Sequence, residues 1–463
     1  MTETTEHGRE TDGGGTDRLW TGAHGRVVAG IFALAFLVAF ESLAVATILP
    51  VVTEELDGLD RYALAFAVPT AVAVVAMTVS GGWMDRNGPG RALRIGVGLF
   101  AGGLLVAGLA PTMTVFLLGR ALQGFGDGVV TVGLYVVVGR VFAPSQRARV
   151  FTVMTSAWVL PALVGPLVAG GVAELVGWRW VFLAVPVLAG GALLLVGEAL
   201  SGPGADAGGR VDGRRVGWAV VAAAAELLVS LAGQRGLPVW PVLLTAAVVV
   251  GVRSAARLVP PGTLTGRRGL PAVIAARSLL SAGYFGAEAY VPLSLVNHRG
   301  LSPAQAGVLL TAAAVLWFAG SWLAANVPAL WSRTLRVRIG AGCVLVGTLA
   351  GFGTLDGTVP VPAVALVWGI GGLGMGMAAS TLSVLLLEQA ASGEHGSASA
   401  AMQTGSAIVA ALVLAIGSVV FAVVLGVDDT AAYVLVFALA SLVAGLGAVT
   451  TTRLLPRSRP VGG

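Results

Sequence analysis

Long apolar runs recur along this chain, and they constrain its fold more than any other feature. Each run is roughly 18 to 26 residues long, enough for an α-helix to cross about 30 Å of hydrocarbon. The chain is 56% hydrophobic and 11% charged over 463 residues, so it cannot present a polar exterior to water. Lipid offers the backbone no hydrogen-bond partners, so runs of this length must be helical. The sequence predicts an all-α polytopic membrane protein.

The runs predict about fourteen spans. The seventh and eighth are the weakest, because Gln234, Arg235 and Pro238 interrupt them, and they could instead form one re-entrant hairpin. The expected domains are a tail at 1–25, a six-helix bundle at 26–200, a linker with an extra helix pair at 201–258, a second six-helix bundle at 259–452 and a tail at 453–463. The spans are 26–51, 62–83, 92–111, 113–138, 150–173, 180–200, 216–234, 238–257, 269–296, 304–328, 338–355, 361–387, 399–425 and 431–452.

Arginine sets the expected orientation. All 28 basic residues are Arg; with the N-terminus inside, 22 fall in cytoplasmic segments, four fall outside, and Arg120 and Arg277 lie within spans. This split obeys the positive-inside rule. It also explains the net charge of +5, so nucleic-acid binding is not expected. We expect a multi-pass plasma-membrane protein with both termini cytoplasmic, and the Lys-free, Ala- and Gly-rich composition indicates a bacterial source.

A charged turn, Gly-Gly-Trp-Met-Asp-Arg-Asn-Gly-Pro-Gly-Arg at 81–91, joins the second and third spans. It resembles the signature loop of major facilitator superfamily transporters, whose fold is two six-helix bundles. An ordinary interhelical turn is the alternative, and Pro89 and Gly90 stand where the family has basic residues. The resemblance implies close helix contact at Gly81, chain reversal at Gly88 and a charge-paired cytoplasmic gate of Asp85, Arg86 and Arg91.

Two spans carry acids beside further family motifs. Glu41, nine residues before Pro50, resembles the first-helix acid of the fourteen-helix drug:proton antiporters. An ionised carboxylate at mid-membrane is costly, so Glu41 should be neutral, partnered or facing a wet cavity; a purely structural acid is the alternative. Arg120 begins a stretch that resembles the fourth-helix motif Arg-x-x-Gln-Gly-x-Gly. Asp127, which departs from that motif, is either an extra proton or substrate site or a neutralising partner for Arg120.

The fifth span contains Gly165-Pro166, which resembles the antiporter motif that accompanies export in this family and shapes a bend. The layout of six, two and six spans also resembles the fourteen-helix subfamily. A second copy of the charged turn, at 320–325, has lost its acid. Any charge-paired gate should therefore be asymmetric.

The ninth span carries Arg277, Tyr284 and Glu288. Arg277 and Glu288 are close to three helical turns apart, so one face could present both to a central cavity. Arg277 could equally snorkel toward the cytoplasmic surface. Glu226, in the extra helix pair, is expected to have a peripheral structural role or a partner contact rather than a role in transport.

Nothing in the sequence indicates catalysis, a metal or a cofactor. Without Lys there is no phosphate-binding Walker loop and no Schiff base, and the four His lie in tails or loops. Residues 369–374 fit a dinucleotide fingerprint, but they lie inside an apolar span, where glycines serve close helix packing.

The expected function is proton-coupled efflux of a small lipophilic or cationic compound, with Glu41, Arg120, Asp127, Glu288, Arg277 and Tyr284 as proton or substrate residues. The expected partners are a small-molecule substrate, protons and the lipid bilayer. A lipid-moving or uptake member of the superfamily is one alternative. A non-transporting receptor or scaffold on the same fold is another, although cavity acids argue against it.

Overall fold

The computed structural model describes residues 19–197, 212–234, 240–326, 331–425 and 427–456. The expected tails before residue 19 and after 456, most of the 201–215 linker, and Arg235 and Pro238 lie outside these ranges. The described ranges contain α-helices and short 3₁₀ turns, with no strand. The α-helices are α1 (Gly22–Glu55), α2 (Leu64–Asn87), α3 (Pro89–Gly108), α4 (Met113–Val141), α5 (Pro144–Val176), α6 (Arg179–Leu183), α7 (Val185–Val196), α8 (Gly213–Gln234), α9 (Trp240–Leu258), α10 (Leu270–Glu288), α11 (Val291–Arg299), α12 (Pro303–Asn326), α13 (Arg333–Leu355), α14 (Val361–Gln389), α15 (His395–Leu425) and α16 (Asp429–Thr450).

The all-α membrane architecture is confirmed. Twelve helical segments in the described ranges are long and apolar enough to cross a membrane. Helices α8 and α9 occupy the seventh and eighth predicted spans as two separate helices. The total is therefore close to the fourteen that the sequence predicts.

Helices α1–α7 form one bundle and α10–α16 form the other. In the first, α1 packs on α5 and α7, and α4 packs on α2 and α3. In the second, α14 packs on α12 and α13, and α10 packs on α15 and α16. Glycine permits the closest of these contacts: a Cβ at Gly126 would collide with the backbone of Phe100 on α3.

Proline explains where two spans are broken. The ninth span divides into α10 and α11 because Pro292 has no N–H, which leaves the carbonyl of Glu288 without its helical donor. Pro186 divides the sixth span into α6 and α7 in the same way. By contrast, the 34 residues of α1 continue through Pro50 as one helix.

The extra helices α8 and α9 bridge the two bundles. They pack on each other, while α8 also packs on α2 and α9 on α15. An apolar cluster spans this seam and includes Val74, Ala219, Ala255 and Ile408. Glu226 of α8 accepts a hydrogen bond of 2.8 Å from the Thr70 hydroxyl of α2. The peripheral role expected for Glu226 stays a prediction, and this hydrogen bond is the contact that it makes with the first bundle.

Candidate transport site

A cavity of about 450 Å³ lies between the two bundles. Helices α1, α4 and α5 line it on one side, and α10, α12, α14 and α15 line it on the other. Its aromatic lining includes Trp158, Phe285 and Trp317, and its charged lining residues are Arg277 and Glu288. A largely apolar cavity of this size with a few polar groups suits a drug-sized ligand.

Hydrogen bonds join the two bundles on the side of the cavity that lies toward Asp85 of α2. We call this side the Asp85 end. Ser383 of α14 lies 3.5 Å from the Tyr135 hydroxyl of α4, and both residues line the cavity. Farther toward the Asp85 end, the Thr152 hydroxyl of α5 donates to the Ser321 carbonyl of α12 at 3.0 Å. The Thr155 hydroxyl lies 3.3 Å from that of Ser321. The bundles are therefore closed together at this end.

Asp85 makes three cross-bundle hydrogen bonds, and its charged carboxylate accepts all of them. Its carboxylate accepts hydrogen bonds from the backbone N–H groups of Gly396 and Ser397, at 2.6 and 2.8 Å, and from the Ser397 hydroxyl at 2.5 Å. Gly396 and Ser397 lie in the first turn of α15, which begins at His395. The N-terminus of a helix has unpaired N–H groups and partial positive charge, both of which suit a carboxylate. Asp85 of one bundle thus caps a helix of the other.

The signature turn therefore differs from the expected charge-paired gate. In the described residues Asp85 makes no ion pair, and its buried carboxylate meets a helix terminus instead. Arg86 and Arg91 are exposed. The other two expected roles have matching geometry: a Cβ at Gly81 would collide with Gly396 and Ala400, and Gly88 has a φ of +80° at the chain reversal.

Glu41 and Arg120 form an ion pair inside the first bundle. They are only 5% and 4% exposed, and neither lines the cavity. Gln123 accepts a hydrogen bond of 2.5 Å from the same arginine nitrogen that binds Glu41. Of the three possibilities for Glu41, the structure shows a partnered acid.

A proline completes the arginine's environment. The Nε of Arg120 donates to the carbonyl of Ala65 at 3.2 Å. That carbonyl lacks its helical donor because Pro69, four residues on, has no N–H. Gly124 packs directly on Pro69, where a Cβ would collide with its backbone. The fourth-helix motif therefore contacts two things: Glu41 of α1, and the part of α2 where Pro69 leaves a carbonyl unpaired.

Asp127 is not the partner of Arg120. Its carboxylate accepts a hydrogen bond of 3.1 Å from the Thr131 hydroxyl one turn on. Thr131 lines the cavity, so Asp127 lies one contact away from it. Among the described residues Arg120 forms its ion pair with Glu41 and not with Asp127, so both roles considered for Asp127 stay predictions.

Three further sequence-predicted residues occupy distinct places. Arg277 lines the cavity. Tyr284 is buried behind that wall, stacked on Trp368 with ring centroids 4.9 Å apart. Gly165, followed by Pro166, faces α1, where an added Cβ would lie at ordinary contact distances from Phe40 and Leu43, and Leu43 lines the cavity.

Sequence reasoning assigned no role to Gln123, Ser397 or Trp317. Gln123 lies within the motif that was identified, but its hydrogen bond to Arg120 depends on three-dimensional structure. Ser397 begins α15 on the opposite bundle, far from Asp85 in sequence. For Trp317 the sequence did contain a signal, because this aromatic residue lies on α12, the span that follows the one with Glu288.

The glycines at 369–374 serve helix packing, as predicted. A Cβ at Gly372 would collide with Ala313 of α12, and one at Gly374 would collide with Gly340 and Cys343 of α13. In the described part of the chain, no group of three His, Cys, Asp or Glu side chains is placed to hold a metal.

Relatives of known type resemble this chain over most of its length. A model of the Major Facilitator Superfamily matches residues 31–414. A Mycobacterium tuberculosis protein named as a probable multidrug-efflux transporter is 28% identical over 439 residues, which cover 89% of this chain and 92% of that protein. The multidrug efflux pump SdrM of Staphylococcus aureus is 24% identical over 371 residues, covering 78% of this chain and 82% of the pump.

Solved structures share the fold. The human organic anion transporter MFSD10 superposes with a TM-score of 0.67 at 14% identity, covering 92% of this chain and 99% of that chain. The proton:xylose symporter XylE superposes with a TM-score of 0.66 at 14% identity, covering 93% and 95% of the two chains. Because the family model matches most of the sequence and the helices adopt this fold, the chain belongs to the Major Facilitator Superfamily and is a membrane transporter rather than an enzyme.

Proposed function

We propose that the chain is a proton-coupled exporter of small lipophilic or cationic compounds. The observation that carries this proposal is the buried Glu41–Arg120 ion pair beside the substrate-sized cavity. A buried ion pair is a poor source of stability by itself, since desolvation offsets the attraction between the charges. An acid that gains and loses a proton during transport gives such a pair a function.

The proposed cycle uses two forms of Glu41. Ionised Glu41 pairs with Arg120, whereas protonated Glu41 releases the arginine to Gln123 and the Ala65 carbonyl, which already bind it. Leu43, two residues from Glu41 on α1, lines the cavity, so a change at the pair can reach the ligand through about half a turn of helix. Each proton that enters across 100 mV supplies about 2.3 kcal/mol, before any pH gradient is added.

Asp85 supports the alternation between states. Its three hydrogen bonds to α15 exist only while the bundles are closed at the Asp85 end. A contact made in one state alone is what can bias an equilibrium between two states. The bundles would rock about the cavity, with Asp85 stabilising the state in which this end is closed.

Export is the favoured direction. Gly165-Pro166 lies against α1 near Glu41 and resembles the motif of antiporters, and two relatives are named as efflux transporters. The apolar and aromatic lining suits lipophilic compounds, and Glu288 suits a positive charge. Uptake and lipid movement are outcomes that the experiment below separates from export.

We further propose that the Asp85 end faces the cytoplasm of a bacterial plasma membrane, which makes this state outward-facing. The arginine distribution supports this orientation. Single cysteines at positions 55 and 147, placed after Cys343 is replaced, should react with an impermeant reagent at 55 and be protected at 147. The reverse pattern contradicts the orientation.

The experiment is transport by the purified protein in proteoliposomes with an imposed pH gradient. A panel of lipophilic cationic dyes should move against the proton flux, and collapse of the gradient should stop the movement. Glu41→Gln should abolish gradient-driven transport, while the matched control Glu174→Gln, an exposed acid of α5, should transport normally. Movement of dye with the protons, or movement only of fluorescent phospholipid, contradicts the proposal.

A further inference from the structure

Helix α10 places two charges in the cavity wall that form no ion pair with the part of the chain that the structure describes. Arg277 and Glu288 both line the cavity, and the described residues form no ion pair with either one. They are eleven residues apart, which is about 16 Å along the axis and close to three full turns. The charges therefore lie on one helix face, at opposite ends of the cavity.

The arginine is incompletely satisfied by the protein. One of its terminal nitrogens donates to the Ser281 hydroxyl on the same helix. Its Nε–H is buried and has no acceptor among the described residues. A guanidinium with this many unused donors binds a carboxylate or similar anion well.

The glutamate has the opposite chemistry around it. Phe285, one turn earlier on α10, and Trp317 of α12 both line the cavity, with their ring centroids 5.8 Å apart. A cavity that contains a carboxylate and aromatic rings is a favourable site for an organic cation, which gains both ionic and cation–π attraction. The Glu288 end of the cavity is therefore suited to a positive group.

Charge balance then distinguishes among ligands. A simple cation neutralises Glu288 but leaves Arg277 unpaired. It also brings a second positive charge into the cavity that Arg277 lines. A neutral compound leaves both charges unpaired. A ligand with a positive group at one end and a negative group at the other satisfies both, and charges in a poorly polar cavity are costly unless they are paired.

We propose that the preferred ligand is an elongated zwitterion, with its cationic end between Glu288 and Trp317 and its anionic end at Arg277. Gln403 of α15 lines the same cavity, and its helix approaches α10 near Arg277, where the Ser278 and Ser406 hydroxyls lie 3.4 Å apart. Its amide can therefore assist Arg277 in binding the anionic group. This assignment rests on the proposed function in that it names the substrate class of the same cavity.

The test uses two dyes that share one cationic xanthene ring system: one bears a carboxylate at the end of an alkyl chain long enough to span the roughly 16 Å between the two charges, and the other is its methyl ester. Binding to detergent-solubilised protein is measured by fluorescence anisotropy without any gradient. Wild-type protein should bind the free acid about tenfold more tightly than the ester. Arg277→Gln should remove this preference, Arg277→Lys should retain most of it, and Glu288→Gln should weaken both dyes.

Arg338→Gln, an exposed arginine outside the cavity, is the matched control and should behave as wild type. Equal or tighter binding of the ester by wild-type protein overturns the inference, and this comparison needs no variant to fold. Equal weakening of both dyes by Arg277→Gln also overturns it. If the free-acid dye binds more tightly but neither dye moves with a pH gradient, the zwitterion inference stands and the proposed proton coupling fails. If the ester dye is exported and the free-acid dye does not bind more tightly, the proposed export stands and the zwitterion inference fails.

Discussion

Glu41 and Glu288 occupy matching places in the two bundles but have different surroundings. Each lies about five turns from the start of its bundle's first long helix, α1 or α10. Glu41 is buried with Arg120 and lies away from the cavity, whereas Glu288 lines the cavity and has no cationic partner in the described residues. The level of an acid in the membrane therefore does not determine its role.

The fourth span of each bundle, α4 in the first and α14 in the second, accounts for the different surroundings of the two acids. The glycines of α4, at 124, 126 and 128, align with those of α14 at 372, 374 and 376. In this register Trp368 stands where the first bundle has Arg120. Trp368 is fully buried and stacks on Tyr284, so the second bundle fills the arginine's place with an aromatic ring. Among the described residues, the acid of the first bundle is therefore paired where the fourth span offers an arginine, and the acid of the second bundle is unpaired where that place holds a tryptophan.

The contacts between the bundles repeat this asymmetry. On α2, Asp85 uses a carboxylate to bind the N-terminus of α15. The corresponding residue of α12 is Ala324, and the contact there uses the neutral hydroxyls of Thr152, Thr155 and Ser321. One seam is charged and the other is neutral, so the two should contribute unequally to transport.

The substitution Glu41→Gln should have the largest effect on transport and gives the sharpest test of the difference between Glu41 and Glu288. Glutamine keeps the shape and an acceptor oxygen but cannot exchange a proton, so we expect gradient-driven transport to be lost. Glu288→Gln should retain coupling to the gradient and show weaker ligand binding. Parallel measurements of transport and of ligand affinity check the pair, and equal loss of coupling in both variants contradicts the division between them.

Asp85→Asn should give the next largest effect. A carboxylate at a helix N-terminus contributes up to about 2 kcal/mol in a partly buried setting, enough to shift the population of the closed state about tenfold or more. We expect normal folding, slower turnover and greater labelling of single cysteines from the Asp85 end. Unchanged turnover together with unchanged labelling contradicts the role of Asp85.

Asp127→Asn should have a moderate effect. The Thr131 hydroxyl, which donates to the Asp127 carboxylate, can donate to an amide oxygen as well, so the helix should not be disturbed. We expect weakened transport or altered preference among dyes, with coupling to the pH gradient preserved. Competition among dyes in proteoliposomes measures this, and complete loss of coupling would transfer the proton site to α4.

Ser321→Ala should have the smallest effect. It removes hydroxyl contacts with Thr152 and Thr155 but leaves the backbone carbonyl that accepts from Thr152. A neutral hydrogen bond contributes about 1 kcal/mol, so turnover should change by less than about fivefold. A loss as large as that of Asp85→Asn, measured in the same assay, contradicts the distinction between charged and neutral seams.

Much of this account could be predicted from the sequence. Apolar run length gives the membrane helices, because the backbone in lipid has few alternatives to helix. The motifs around Asp85 and Arg120 also indicated which residues meet at helix contacts. Glu41 could be identified as an acid that needs a partner, since an isolated charge at that depth is costly.

The partners could not be predicted, because they come from distant parts of the chain. Asp85 was expected to pair with arginine, but the helix terminus that it contacts is more than three hundred residues away. Arg120 could have paired with Asp127 on its own helix, and only packing of α1 against α4 shows that Glu41 reaches it first. The break at Glu288 follows from Pro292, yet the resulting place of that side chain in the cavity depends on how the bundles meet.

Proton release on ligand addition tests the central claim most directly. Detergent-solubilised protein in weak buffer with a pH dye should release protons when a transported cation is added, because ligand binding and protonation of Glu41 exclude each other in an antiporter. We predict release from wild-type protein and from Asp127→Asn, and none from Glu41→Gln. Normal release from Glu41→Gln, with none from Asp127→Asn, would contradict the account and place the coupling acid on the fourth helix.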